Sequence, residues 1–282
     1  MAIKKYKPYT PSRRFMVGYD FSDLTSKKPE KSLVVSLWKT GWRNNQWRVT
    51  SRWMWWGHKR LYRLVDFIWY DKVDIPAKVA SVEYDPYRTA RIALLNYADW
   101  EKRYVLAWKW VVVGEEVMSG KDSPIKAWNR KQLKDIPEGM NIFALEVTPF
   151  SKGKLIKTAW SYASIVGRDE QQKKVFIKMP SREVRKFDEN CWATIWEIGN
   201  DQHKNIVIGK AWRQRWMGKK PRVLGKNMNP VDHPHGGWEW HSPIGSKRWP
   251  KSFAWKNVSA GIKTRKGGKW STKFIVSNRN KK

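Results

Sequence analysis

Two histidines in a loop rich in proline and glycine are the residues of this chain best suited to chemistry. His233 and His235 lie in residues 228–240, MNPVDHPHGGWEW, which we call the histidine loop. An imidazole can act as a general base or bind a metal ion. The prolines fix the backbone and the glycines free it, so the segment is too irregular for a helix or a strand.

Three roles are open to the histidine loop. A metal site would need further ligands, and Cys191 and His203 lack ligand-like spacing, so we predict no metal and no cofactor. A catalytic histidine would use Asp232 as its orienting partner, but no nucleophile is identifiable beside it. We therefore favour a structural loop whose backbone approaches a phosphate or a base. The protein is predicted not to be an enzyme, with a catalytic contribution of His233 or His235 left open.

The charge of the chain indicates its partner. Fifty-seven Lys and Arg against 25 Asp and Glu give a formal net charge of +32. A compact chain with this charge repels itself unless a polyanion neutralises it. Nucleic acid is the first candidate and an anionic membrane the second. No stretch approaches the ~20 apolar residues of a membrane span, so we predict a nucleic-acid partner and no membrane.

The compartment follows from the amino terminus and the cysteine content. Met1–Arg14 carries five cations and no acid, which is unlike a secretory signal. A single cysteine, Cys191, excludes an internal disulfide and fits a reducing environment. We therefore predict a cytoplasmic protein.

The charge is unevenly distributed along the chain. Acidic residues occur only between Asp20 and Glu239, and residues 242–282 hold twelve Lys or Arg and no acid. Such a tail cannot form a core, and we expect its partner to order it. A merely solvated tail is the alternative. Because the other end is also basic, we predict two arms around a globular middle.

The middle of the chain is predicted to be rich in β-strands. Short apolar runs alternate with turn residues, which is typical of small barrels, and residues 40–200 suffice for two of them. A boundary is expected at residues 123–126. The predicted strands are residues 80–84, 90–95, 103–106, 141–147, 174–178 and 183–185, the last two forming a hairpin.

Tryptophan is the most unusual component of the chain. Twenty-one tryptophans lie mostly among cations, Asn and Gly, as in residues 40–48 and 53–60. A tryptophan normally buries its ring among apolar neighbours. Two explanations compete: a base-stacking surface, or a letter W that stands for another residue.

Ordered motifs along the whole chain resemble the bacterial L2 family of large-subunit ribosomal proteins. The likeness begins in the amino-terminal arm, continues through the Asp85–Pro86 turn and the histidine loop, and ends near the carboxyl terminus. The matching segments are residues 2–8, 13–15, 31–33, 40–48, 57–63, 75–79, 83–86, 91–94, 97–99, 228–240 and 273–276.

The resemblance implies a mainly β fold with an OB-like barrel followed by an SH3-like barrel between extended basic arms. The implied bounds are 1–38 for the amino-terminal arm, 39–122 for the OB-like RNA-binding barrel, 123–200 for the SH3-like barrel and 201–282 for the basic carboxyl-terminal region. It also implies a structural, primary rRNA-binding component of the large subunit. That component would support subunit association, tRNA binding and the peptidyl transferase centre, beside neighbouring ribosomal proteins and the small subunit.

The chain departs from the family at tryptophan. Where the family has glycine this chain has Trp42, Trp47, Trp55, Trp56, Trp100, Trp110, Trp128, Trp160, Trp196, Trp212, Trp238 and Trp240. Some bacteria decode UGA as glycine, and our hypothesis is that such a gene was translated with another table. Trp216 matches a family tryptophan. Eight remain unassigned: Trp38, Trp53, Trp69, Trp108, Trp192, Trp249, Trp255 and Trp270.

The resemblance and the clustering of cations near these loops give a set of candidate RNA ligands. They are Arg43, Asn44, Asn45, Arg48, His58, Lys59, Arg60, Arg63, Arg213, Arg215, Asn229, His233 and His235. Any single cation could instead be a solvated surface charge. Three functional classes stay open: a ribosomal structural protein, which we favour, an enzyme of peptide transfer, and a free nucleic-acid-binding protein.

Overall fold

The structure is a computed structural model that describes residues 3–237, 249–258, 265 and 268–279. Trp238, Trp240 and much of the basic tail lie outside the described residues. Strands hold 30% of the chain and helices 12%, so the predicted mainly β fold is confirmed. The strands are β1 Ile3–Lys5, β2 Val17–Tyr19, β3 Val34–Ser36, β4 Leu61–Arg63, β5 Ala77–Glu83, β6 Ile92–Tyr97, β7 Lys102–Leu106, β8 Glu116–Val117, β9 Arg130–Gln132, β10 Asn141–Phe143, β11 Ala163–Asp169, β12 Lys174–Lys178, β13 Val184–Asp188, β14 Trp192–Ile195 and β15 Ile275–Ser277.

Helices are few and short in the described part of the chain. The α-helices are α1 Pro11–Arg14 and α2 Ala211–Trp216. The 3-10 helices are Lys31–Leu33, Trp69–Asp71, Leu133–Asp135, Asp201–Asn205, Gly225–Asn227 and Trp270–Phe274. The described residues contain no helix with the length and apolarity that a membrane crossing requires.

The chain divides into two compact units. Unit 1 contains Met1–Trp38, Lys59–Lys210 and Lys273–Lys282, and unit 2 contains Lys39–His58 and Ala211–Thr272. The four sheets found among the described residues all belong to unit 1. The described part of unit 2 is therefore built from turns, isolated bridges and short helices, where the backbone must satisfy its hydrogen bonds locally.

Two antiparallel sheets form the main body of unit 1. The first has the order β7-β6-β5-β8, and the second has the order β15-β13-β12-β11-β10-β14-β9. Two-stranded sheets, β1-β2 and β3-β4, complete it. The predicted hairpin is present, since β12 and β13 pair from Lys174 opposite Asp188 to Lys178 opposite Val184. Consecutive strands pair in antiparallel fashion where the sequence places turn residues between them, because a short turn is enough to join antiparallel strands.

Strand β6 explains how the core is arranged around the first sheet. Ala93 and Leu95 belong to the large core cluster, whereas Ile92 and Leu94 face a second cluster with Tyr104. A strand buried on both faces reads as a continuous apolar run. The large cluster also takes side chains from β10 to β14, so a single core extends from one sheet to the other within unit 1.

One strand is shorter than predicted. Residues 141–147 form an apolar run, but β10 ends at Phe143. Ala144 has φ of 48°, a left-handed conformation that cannot continue a strand. Leu145 then forms an isolated bridge with Leu155.

Candidate nucleic-acid interface

A tight turn at Asn44–Arg48 carries three of the predicted RNA ligands in unit 2. The Trp47 amide donates to the Asn44 carbonyl at 3.0 Å, and the Asn44 amide donates to the Arg48 carbonyl at 3.0 Å. The Arg48 amide donates to Asn44 Oδ1 at 2.9 Å. The side chain of Asn44 therefore shapes the turn, while Asn45 and Arg48 are exposed at its surface.

Residues 54–58 pack their backbone against the end of α2. The His58 amide donates to the Trp216 carbonyl at 2.8 Å, and the Trp55 amide donates to the Gly218 carbonyl at 2.6 Å. Gly57 has φ of +61°, and a Cβ there would lie 2.7 Å from the Gly218 nitrogen. Only glycine accepts both the left-handed backbone and this approach.

Four cations surround two tryptophan rings in unit 2. Arg215 and Lys220 lie 4.8 Å and 4.5 Å from the Trp55 ring centroid. Arg52 and Arg222 lie 5.1 Å and 5.0 Å from that of Trp53. Of these cations only Arg215 was predicted as an RNA ligand. The sequence signal for the other three is their position, since Arg52 lies next to residues 53–60 and Lys220 and Arg222 follow shortly after α2. Arg213, also predicted, is half-buried in α2.

His233 is an internal residue of the histidine loop. Its side chain is 3% exposed, and Phe253 packs edge-on against it with ring centroids 4.6 Å apart. Its Nδ1 accepts the His235 amide at 3.0 Å. The Asn229 carbonyl accepts the amides of Asp232 and His233 at 3.0 Å and 3.2 Å. The backbone of Asn229 thus closes the loop.

His235 is partly buried and also accepts a backbone hydrogen bond. The Lys251 amide donates to His235 Nε2 at 2.8 Å. Burial, with the charges of His233, Lys226 and Lys251, lowers the pKa of His235 from its ordinary value. A neutral imidazole that accepts through Nε2 carries its proton on Nδ1. In this arrangement neither nitrogen is poised to take a proton.

The remaining predicted ligands lie at the boundary of unit 2 or in unit 1. His58 and Lys59 are exposed. Arg60 donates to the Pro86 carbonyl at 2.9 Å and lies 5.9 Å from the Tyr87 ring centroid. Arg63 is 9% exposed in β4, and its guanidinium donates to the Leu61 carbonyl at 3.0 Å. Burial therefore leaves little of Arg63 for an outside partner.

The described residues that could bind a metal do not converge. In the described ranges, His, Cys, Asp and Glu form no group of three or more that could hold a metal ion. Cys191 is buried in unit 1, while the histidine loop belongs to unit 2.

Two family models match successive parts of the chain. Residues 30–119 match the RNA binding N-terminal domain of Ribosomal Proteins L2. Residues 126–254 match the C-terminal domain of the same family. The chain belongs to the ribosomal protein L2 family. It is a structural, rRNA-binding component of the large ribosomal subunit, and the function that we favoured from the sequence is confirmed at this level.

The backbone at the tryptophans separates them into two groups in this L2-family chain. The described residues include eighteen non-glycine residues with positive φ, and nine of them are tryptophan. Ten of the twelve tryptophans at family glycine positions are described, and seven have positive φ: Trp42, Trp47, Trp100, Trp110, Trp128, Trp160 and Trp196. Trp55, Trp56 and Trp212 do not, and neither does Trp216. Trp53 and Trp255, which the resemblance left unassigned, have φ of 60° and 59°.

Proposed function

We propose that unit 2 binds rRNA through the Asn44–Arg48 turn, residues 53–58, helix α2 and the histidine loop. The exposed Asn45 and Arg48 and the four cations that gather around positions 53 and 55 support this assignment. Cations neutralise phosphates and release counterions, so binding follows the charge of the partner. Within unit 1, Lys59 and Arg60 are separate candidate ligands for rRNA.

Through these contacts the protein supports subunit association, tRNA binding and the peptidyl transferase centre in cytoplasmic ribosomes. Its further partners are neighbouring ribosomal proteins and the small subunit at the subunit interface. The family membership supports these roles, and the net charge of +32 supports a polyanionic partner.

Salt dependence and sedimentation test this function. The affinity of the full chain for large-subunit rRNA is expected to fall steeply between about 50 and 200 mM salt. A flat response would contradict the electrostatic account. The protein is expected to comigrate with large subunits in a density gradient, whereas a free nucleic-acid-binding protein would sediment alone.

We propose that the histidines position the loop and do not transfer protons. Both rings accept backbone amides, the Lys251 amide at His235 and the His235 amide at His233. General-base catalysis requires a nitrogen free to take the reacting proton. The His235→Gln variant is therefore expected to alter the assembly of large subunits more than the rate of peptide transfer. Loss of the chemical step in normally assembled ribosomes would favour the catalytic alternative.

We propose that UGA codons of this gene are decoded as glycine. The backbone supports this, because seven of the ten described tryptophans at family glycine positions have positive φ. A left-handed conformation costs most side chains about 1–2 kcal/mol and costs glycine almost nothing. A stacking surface would require exposed rings but no particular φ, so it does not account for this bias.

The gene sequence separates the two explanations. Under the recoding proposal, codons 42, 55 and 238 are UGA. UGG codons at all three positions would refute the proposal and leave the stacking surface as the explanation.

We propose the domain bounds 1–38, 39–122, 123–200 and 201–282. The unmatched residues between the two family models, 120–125, support a boundary near Ser123. Limited proteolysis of the full chain tests the outer bounds, those of the two basic arms. A first cut near residues 120–125 is not expected, since Ser123 is buried and its hydroxyl donates to the Gly120 carbonyl at 2.9 Å. The basic ends should instead be removed first.

A further inference from the structure

The segment Ser252–Lys256 forms a turn whose fourth residue is a left-handed tryptophan. The Ser252 amide donates to the Lys256 carbonyl at 2.9 Å, and the Trp255 amide donates to the Ser252 carbonyl at 2.9 Å. Lys251 and Asn257 form an antiparallel bridge on either side. Trp255 has φ of 59°. A three-residue hairpin connection of this kind ends in a left-handed position that glycine favours.

Two other turns repeat the same hydrogen bonds with tryptophan at the same place. In the Asn44–Arg48 turn both bonds measure 3.0 Å, and Trp47 has φ of 58°. In the turn of residues 97–101 the bonds measure 2.9 Å and 3.1 Å, and Trp100 has φ of 65°. Trp47 and Trp100 both occupy positions that the resemblance assigns to glycine.

The turn geometry alone admits another residue at some cost. Arg182 has φ of 68° in the corresponding position of residues 179–183. Residue 255 is distinguished by the combination of this turn with a tryptophan, as at 47 and 100. The ring of Trp255 is 56% exposed, so core packing does not require an indole there.

The same turn contacts both histidines of the histidine loop. Lys251, next to the turn, donates its amide to His235 Nε2 at 2.8 Å. Phe253, within the turn, packs edge-on against the His233 ring, at 4.6 Å between centroids and 78° between planes. Residues 251–257 therefore provide one contact for each imidazole, a backbone amide for His235 and an aromatic ring for His233.

We infer that residue 255 is glycine in the natural protein and that the Ser252–Lys256 turn is a positioning element for the histidine loop. This inference rests on the proposed recoding and extends it to a residue that family likeness did not assign. A side chain branched at Cβ would resist the left-handed backbone and shift the turn. Lys251 and Phe253 would then move relative to His235 and His233.

Peptide mass spectrometry tests the identity of residue 255. Trypsin cuts after Lys251 and Lys256, and also after Arg43 and Arg48, so two five-residue peptides isolate residues 255 and 47. Glycine in both peptides is the expected result. Glycine at 47 with tryptophan at 255 would overturn this inference alone, whereas tryptophan at both would overturn the recoding proposal as well.

Hydrogen exchange of the Lys251 amide tests the positioning role. The full chain is compared as Trp255→Gly, Trp255→Asn and Trp255→Val, because asparagine tolerates the left-handed region and valine does not. Exchange at Lys251 is expected to be about 5- to 30-fold faster in the valine variant than in the glycine variant, with asparagine close to glycine.

The Asn44 amide, hydrogen-bonded in the matching turn, is the internal control and should exchange equally in all three variants. Equal protection of Lys251 in the glycine and valine variants would refute the positioning role. If the valine variant does not fold, the chain with tryptophan at 255 takes its place, and faster exchange at Lys251 than in the glycine variant is expected. Equal protection in those two chains would likewise refute the positioning role, and the peptide at 255 decides the identity of the residue.

Discussion

Replacing Trp100 by glycine should stabilise the chain as written, although it removes the largest side chain. Trp100 has φ of 65° in the turn between β6 and β7, and its ring is 93% exposed. Trp38 is a matched control in the same unit. It is 89% exposed and is not among the residues with positive φ.

The expected magnitude follows from two opposing terms. Relief of the left-handed backbone stabilises the folded state by about 1–2 kcal/mol. The greater freedom of glycine in the unfolded chain costs about 0.5–1 kcal/mol. The lost ring contributes little, because it is almost fully exposed. Trp100→Gly should therefore raise the free energy of unfolding by about 0.5–1 kcal/mol, and Trp38→Gly should lower it by a similar amount.

Urea unfolding followed by far-UV circular dichroism measures both variants against the parent chain. The parent chain is expressed from a gene that has UGG at every tryptophan position of the printed sequence. Opposite shifts of the unfolding midpoint are expected. A loss of stability in Trp100→Gly as large as in Trp38→Gly would refute the backbone argument, since both variants would then report only the flexibility of glycine.

Three further predictions concern RNA binding, the core and the histidine loop. Arg48→Ala should weaken binding to rRNA and reduce the salt slope by about 1, while Lys178→Ala in β12 should change neither; equal effects would remove the special role of the turn. Glu146→Gln removes the buried negative charge opposite Arg130 (1% and 0% exposed, 3.4 Å apart) and should cost about 3–5 kcal/mol in urea unfolding. Glu116→Gln, in an exposed pair with Lys78, should cost less than about 1 kcal/mol, and similar losses would contradict this ranking. Because the pKa of His235 is lowered in the fold, the unfolded chain binds more protons than the folded chain below the ordinary histidine pKa of about 6.5, so stability is lost as the pH falls below that value. In the His235→Gln variant the free energy of unfolding should fall less over this pH range. An unchanged pH profile would contradict a role of His235 in this loss of stability.

The sequence predicted most strands well, because an apolar run and the turn residues that bound it lie within a few residues of each other. The run at residues 174–178 holds three consecutive apolar residues between two lysines, and β12 spans it with Val175 and Ile177 buried. The apolar run at residues 141–147 did not show where β10 ends. The strand stops before Ala144 because the backbone there is left-handed, and alanine is not a residue type that marks this conformation. Turn conformation imposed by the surrounding fold is not visible in Ala, Leu or Val.

The interface was predicted in composition but not in its contacts. The histidine loop was found from its prolines and glycines, whereas its packing against Phe253 and Lys251 depends on residues that follow it along the chain, 16 positions beyond His235 in the case of Lys251. Arg63 shared the basic pattern of its neighbours, but its place in β4 buries it. A cluster of basic residues in the sequence predicts a positive charge. Whether a given side chain in the cluster is exposed to a partner depends on the fold.

The natural L2-family protein, as we propose it, carries glycine in its left-handed turns at positions where the printed sequence has tryptophan. Peptide mass spectrometry of the protein taken from purified large subunits tests it most directly. The account predicts glycine at residues 47 and 100 and tryptophan at residue 216, which lies in α2 without positive φ. Tryptophan at all three would contradict it.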